Sequence, residues 1–181
     1  VPMRTRKSTD ERKAEVVEAA MRLAAEHGPE RVTTEDLARA VELTQPAIFR
    51  HFPTKDAIWL AVAEAIGSRL EARWQAVAHG PAASDRLRRL VVAQLGLIRS
   101  VPAIPAILFS RELHARNEHL RTAFHGLLEK LHRLVAETID DGRRRGEFPP
   151  DLDPSDAAYL IVAMIQGLAV RWSLSGRRFD L

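Results

Sequence analysis

An all-α fold follows from three observations. Helix start and stop signals recur along almost the whole chain, apolar residues return at helical spacing between them, and no segment shows the alternation of a strand. The signals divide the chain into about nine helices, a short three-helix unit followed by a larger helical body.

Ser8-Thr9-Asp10-Glu11 reads as a capping box, with Ser8 as N-cap and Glu11 reaching back. Behind it Val16, Val17, Ala20, Leu23 and Ala24 recur on one helical face until Gly28 and Pro29 stop the helix. Thr33 opens a short second helix through Leu37, Ala38 and Val41. Thr44 caps a third, where Pro46 is tolerated because first-turn amides have no acceptor within the helix. Pro53 breaks it, Thr54 caps again, and a long fourth helix runs from about Lys55 to His79, ended by Gly80-Pro81. Ser84 is the expected cap of a fifth helix reaching about Ser100. Pro102 and Pro105 then interrupt before a short apolar segment. From about Asn117 a sustained apolar stripe, Leu120, Phe124, Leu127, Leu131, Leu134, Val135 and Ile139, leads to Gly146. Asp153 caps the last helix, with Pro154 at its first position and Asp156 where the helix dipole favours an anion.

That last helix, about Pro154 to Ser175, is apolar nearly all round. One side can pack on its own domain, and the other needs a cover. Gln166-Gly167 lets a second backbone approach. The final two helices are therefore expected to form a homodimer interface through Leu127, Leu131, Leu134, Ile161, Ile165, Gly167, Leu168 and Trp172. The competing reading is a core helix wrapped wholly by its own chain.

Composition narrows the function classes. The chain has 181 residues and no cysteine, which excludes a disulfide framework, a thiolate metal site and a cysteine nucleophile. No unbroken apolar run reaches the ~18 residues of a membrane span and no signal peptide opens the chain, so a cytoplasmic protein with no membrane partner is expected. Lysine and arginine exceed the acids by only three, so placement matters more than the total. Arg4, Arg6, Lys7, Arg12 and Lys13 crowd one end, and Arg143-Arg144-Arg145 forms a second cluster.

The segment "LTQPAIFRHFPTKDAI" combines apolar and cationic side chains in one short run. A short capped helix, a tight turn and a second short helix make a helix-turn-helix unit over about residues 33–52. Ala38, Val41, Leu43, Ile48 and Phe52 fall where these helices pack on the first. Gln45, Ala47, Arg50 and His51 are less committed to the core, and Phe49 is assigned to neither side. In such units the second helix enters the major groove of double-stranded DNA. Gln45 suits adenine, and Pro46 or Ala47 a thymine methyl. Thr33, Thr34, Thr44, His51 and Lys55 sit where short polar chains and cations meet phosphates.

Residues from Arg12 to about Ala65 resemble the DNA-binding domain of the TetR family of bacterial transcriptional regulators. The matching points are Ala19-Ala20, Gly28, Thr33-Thr34, Leu37-Ala38, Phe49-x-His51-Phe52 and Lys55-Asp56. "GEFPPDLDP" before the last helix also looks like family C-terminal domains. The resemblance implies an N-terminal helix-turn-helix DNA-binding domain, residues 1–62, and a C-terminal helical ligand-binding and dimerisation domain, residues 63–181. It implies base reading by Gln45, Pro46, Ala47 and Arg50, phosphate contacts from Thr33, Thr34, Thr44, His51 and Lys55, and backbone or minor-groove contacts from Arg4, Arg6 and Lys7. Two positions depart from the family pattern. Glu42 stands where the turn usually has glycine, so a non-glycine must take the left-handed backbone there. Phe49 stands where tyrosine is usual and lacks the hydroxyl that family members place on phosphate.

The resemblance further implies an effector cavity in the body. Trp74, Leu95, Leu97, Ile98, Phe109, Leu113 and Phe124 are its candidates, and for each of them plain core is the stronger reading. His125 and His132 lie two turns apart, roughly 10 Å, too far to share an ion, so neither metal nor cofactor is expected. No glycine-rich phosphate loop, nucleophile elbow or HExxH is present, and the acids cluster at helix ends where capping explains them, so no enzyme is expected. The reading is a homodimeric, ligand-responsive regulator, a repressor that binds a palindromic operator and is released by a small apolar effector. The alternative is a helical dimer that acts through protein contacts after losing DNA binding.

Overall fold

Caps decide where these helices begin. In the computed structural model, which describes residues 8–181, Ser8 Oγ accepts from the Glu11 amide at 3.1 Å and the Glu11 carboxylate accepts from the Ser8 amide at 2.6 Å. Helix α1 (Thr9–His27) follows, and Gly28 ends it. A 3-10 turn, Pro29–Arg31, leads to α2 (Thr34–Ala40), α3 (Gln45–His51) and α4 (Lys55–Val77), capped by Thr33, Thr44 and Thr54 as expected. The body comprises α5 (Ala83–Ser100), α6 (Ala103–Leu108), α7 (Arg111–Arg116), α8 (Glu118–Arg144) and α9 (Pro154–Leu174). Asp153 caps α9 by accepting from the Ser155 and Asp156 amides at 2.9 Å. Among the described residues there is no strand.

One expected cap is wrong. α5 begins at Ala83, not behind Ser84, and its preceding residue Ala82 offers no side-chain acceptor. The Glu147 carboxylate, arriving from beyond α8, accepts from the Ala83 and Ser84 amides at 3.0 Å each and from the Ser84 hydroxyl at 3.2 Å. Those backbone amides hold the Glu147 carboxyl below its usual range. The neighbouring arginines complete a clasp. Arg86 pairs with Asp141, and Arg145 donates to the Pro81 carbonyl at 2.8 Å. Arg143 and Arg144 both pair with Asp140, at 2.7 and 3.2 Å. The second cationic cluster is thus engaged with acids and carbonyls of its own chain.

α1 packs along α4 and α6 while touching α2 and α3. Val16, Ala20 and Met21 meet Leu37, Ile48, Phe52 and Trp59 in an apolar cluster that continues through Ile66 and Leu70 into the body. α4 therefore passes the 62/63 position without a break. Inside the body the Trp74 indole N–H donates to the buried Gln94 carbonyl at 2.8 Å. Polar ties also join the two parts. The Ser110 hydroxyl donates to Glu30, Arg69 pairs with Glu18, and Arg177 donates to the Ala25 carbonyl at 2.9 Å.

The most extensive helix contact is α8 against α9. Ala158, Val162, Ile165, Ala169 and Trp172 face inward, while Tyr159, Leu160, Met164 and Gly167 stand in the open, Leu160 at 73% exposure. This corrects part of the expected interface. Leu131, Ile165 and Trp172 are core residues at 2%, 2% and 4% exposure and present nothing to a partner. Leu127 packs on Gly67 of α4, Leu134 and Ile161 are half-buried against the same core, and Leu168 is half-buried beside the open stripe. Of the eight expected residues Gly167 is exposed, four are half-buried and three are core. α9, with 21 residues and a mean hydropathy of 1.5 over an 18-residue stretch, is also long and apolar enough to cross a membrane. Gln166 and Arg171 keep its apolar residues from forming one unbroken run. Its inner face is packed within the chain, leaving a stripe rather than a girdle.

Candidate nucleic-acid interface

The turn between α2 and α3 is a Schellman end to α2. The Leu43 amide donates to the Ala38 carbonyl at 2.9 Å and the Glu42 amide to that of Arg39 at 3.3 Å. Glu42 takes φ 53°, the left-handed backbone that glycine adopts without steric cost. α8 and α9 end in the same pattern, with Gly146 at φ 75° and Gly176 at φ 68° in the equivalent place.

α3 is rolled so that Ala47, Ile48 and Phe52 point inward, with His51 half-buried beside them. At 100° per residue this leaves one continuous outward arc of Gln45, Phe49, Pro46 and Arg50. Ala47, 6% exposed, is therefore not a base-reading residue; its methyl is used against the head's own helices. Phe49, unassigned by spacing, is 41% exposed. Its signal was available in the wheel, four residues from Gln45 and three from Pro46.

The Gln45 side-chain N–H donates to the Thr34 hydroxyl oxygen at 2.6 Å. That bond joins the starts of the two helices and orients the amide, leaving its carbonyl and second N–H for a base edge. Thr44 Oγ1 accepts from the Ala47 amide at 3.4 Å, so its own hydroxyl proton is uncommitted by that bond. Thr33 differs: its hydroxyl donates to Asp36 at 2.6 Å while accepting from the Asp36 amide at 3.1 Å. The Thr33 hydroxyl, with the Thr33 amide, holds the Asp36 carboxyl below its usual range. Thr33 is thus a capping residue before it is a phosphate donor. Arg50 is exposed and Lys55 half-buried, and neither has an ion-pair partner among the described residues. His51 Nδ1 is buried without a partner, so Nε2 is the nitrogen left for a ligand. Arg4, Arg6 and Lys7 lie outside the described residues.

The structure does not gather the expected effector residues around one void. Trp74, Ile98, Leu113 and Phe124 are core, with Leu97, and Leu95 packs against them. Phe109 instead borders a surface recess with Leu108, Arg111, His114, Ala115, Glu118 and Arg121. Among the described residues no group of three metal-ligating side chains converges.

Residues 16–62 match the family described as bacterial regulatory proteins, tetR family, and residues 83–181 match the C-terminal part of the BetI-type transcriptional repressors. A nucleoid occlusion factor SlmA from Edwardsiella ictaluri is 25% identical over 93% of this chain and 86% of its own. The Salmonella newport SlmA is 26% identical over 89% and 82%. Two solved structures share the fold. A protein from Saccharomonospora viridis in complex with choline is 27% identical, with TM-score 0.83 over 94% of this chain and 89% of that one. FadR from Bacillus subtilis in complex with stearoyl-CoA is 18% identical, with TM-score 0.78 over 92% and 90%.

Proposed function

This chain belongs to the TetR family of bacterial regulatory proteins, and on that premise we propose that it is a ligand-responsive repressor that grips a palindromic operator as a homodimer. Its family and fold are those of transcriptional regulators, not of enzymes. The observation that carries the proposal is the outward arc of α3, where Gln45, Pro46 and Arg50 stand clear while Ile48 and Phe52 anchor the helix from behind. Residues 1–62 are the reading head and residues 63–181 the effector and dimerisation body. In the groove Gln45 and Arg50 address base edges, and Thr34, Thr44, His51 and Lys55 address phosphates. The open face of α9 seats a second copy about a two-fold axis and so pairs two heads with two half-sites. On this reading the protein works in the cytoplasm, where its operator lies.

Release requires an effector that binds one arrangement of the heads better than the other. The relatives solved with choline and with stearoyl-CoA support a small-molecule effector. An apolar effector would need the interior around Ile98, Leu113 and Phe124, packed here as core, to open. Selecting bound duplexes from a random pool tests the reading. The expected product is an inverted repeat with half-sites about one helical turn apart, or a multiple of it. Retention of no duplex at low ionic strength would sink the proposal.

The SlmA relatives favour a second reading, a DNA-bound factor in nucleoid occlusion. Mapping bound sites across the chromosome separates the two. A repressor occupies a few promoters, whereas a nucleoid factor is spread over many sites away from them.

A further inference from the structure

We infer that Phe49 reads the 5-methyl group of a thymine in each half-site. This deepens the proposed DNA reading and rests on it. α3 holds two phenylalanines in opposite settings: Phe52 is 5% exposed and part of the apolar cluster, whereas Phe49 is outside that cluster and open to solvent. Among the described residues up to 62, Phe49 is the large apolar side chain left exposed. A lone exposed apolar residue is ordinary on a protein surface. What distinguishes this one is its place, in the middle of the arc that Gln45, Pro46 and Arg50 complete.

The chemistry of the groove then narrows its partner. A phenyl ring neither donates nor accepts a conventional hydrogen bond. Along the major-groove edges of the bases, the thymine methyl is the apolar group it can cover. Of the two other candidates for such a contact, Ala47 is turned into the core and Pro46 stays open at the start of the helix, so the methyl assigned to Phe49 is the one whose effect Phe49→Ala removes. The Thr34–Gln45 bond holds the neighbouring amide at the start of α3, so the ring and the amide address adjacent positions from one rigid turn.

The test uses the full-length protein and the operator recovered by selection. Each thymine is replaced in turn by deoxyuridine, which removes the methyl and keeps the pairing, and affinity is read by fluorescence anisotropy at fixed salt. In the unaltered protein, one thymine per half-site is expected to lose about four-fold on replacement, the effect of uncovering one methyl. Phe49→Ala, its fold checked by thermal melting, should bind the thymine and deoxyuridine duplexes equally. Methyl sensitivity that survives undiminished in Phe49→Ala overturns the inference, as does an operator indifferent to every replacement. Recovery of no operator overturns DNA reading as a whole. A recovered operator without methyl sensitivity overturns the Phe49 contact alone.

Discussion

On α3 the side left in the open carries Gln45, Pro46, Phe49 and Arg50; on α9 it carries Tyr159, Leu160, Met164 and Gly167. Both helices bury one face by the same rule, with branched and aromatic residues turned inward at helical spacing. Their outer faces differ in what would satisfy them. The α3 arc offers donors, an acceptor and a positive charge, the complement of base edges beside phosphates. The α9 stripe offers methyl and methylene surface around a glycine, the complement of another apolar surface. Burial alone does not separate a partner-binding face from a solvated one. The chemistry of what remains outside does.

The largest expected effect strikes the α9 face. Leu160→Glu with Met164→Glu sets unpaired carboxylates into the proposed dimer contact, at about 3–5 kcal/mol. Sedimentation velocity should then report a monomer, with operator affinity about 100-fold weaker or worse once two heads no longer bind together. An intact dimer would place the interface on another surface. On α3 two substitutions should part company. Gln45→Ala is expected to forfeit about 1–3 kcal/mol of discrimination at one base pair, visible as a changed selected sequence. Lys55→Ala should weaken every duplex alike and lower the salt slope by about 1. Equal behaviour of the two would erase the division between reading and holding on that helix.

Two smaller effects probe how the α3 arc is held. Glu42→Gly exchanges left-handed strain for chain entropy and is expected to stabilise the fold by about 0.5 kcal/mol, a rise of about 1–2 °C in melting temperature, with operator preference unchanged. The smallest concerns acid. The Asp36 carboxyl is held below its ordinary 3.8 by the Thr33 hydroxyl. Its contribution is therefore complete above that unfolded value and disappears as pH falls through the lowered folded one. Asp36→Asn should flatten this part of the acid limb when melting temperature is followed downward in pH. An unaltered limb would remove the Thr33–Asp36 cap from the supports of α2.

Local chemistry was readable from the sequence and distant chemistry was not. Ser8, Thr33, Thr44, Thr54 and Asp153 cap the helices expected of them because a cap acts within three residues. The left-handed turn at Glu42 follows from the family resemblance, and nothing in the local sequence announces it. Glu147 caps α5 across 64 residues of sequence, and no spacing near Ser84 announces it. Ala47 was misplaced because two turns of helix give periodicity little leverage, and a small side chain fits either face. On α9 every face is apolar in sequence, so the buried side was decided by how α8 lies against it. The expected interface thus took inward residues such as Ile165 and passed over Leu160 and Met164. The effector residues failed to converge for a similar reason, since an apolar stripe describes a core and a cavity lining equally.

The tie between Arg177 and Ala25 carries one more implication. The guanidinium donates to a main-chain carbonyl in the last turn of α1, where the helix end favours a cation. Every amino acid supplies that carbonyl, so position 25 can drift in identity without loosening the knot, while position 177 has no such licence. A hoop joining the far end of α9 to the first helix thus depends on one arginine and on the path of a backbone.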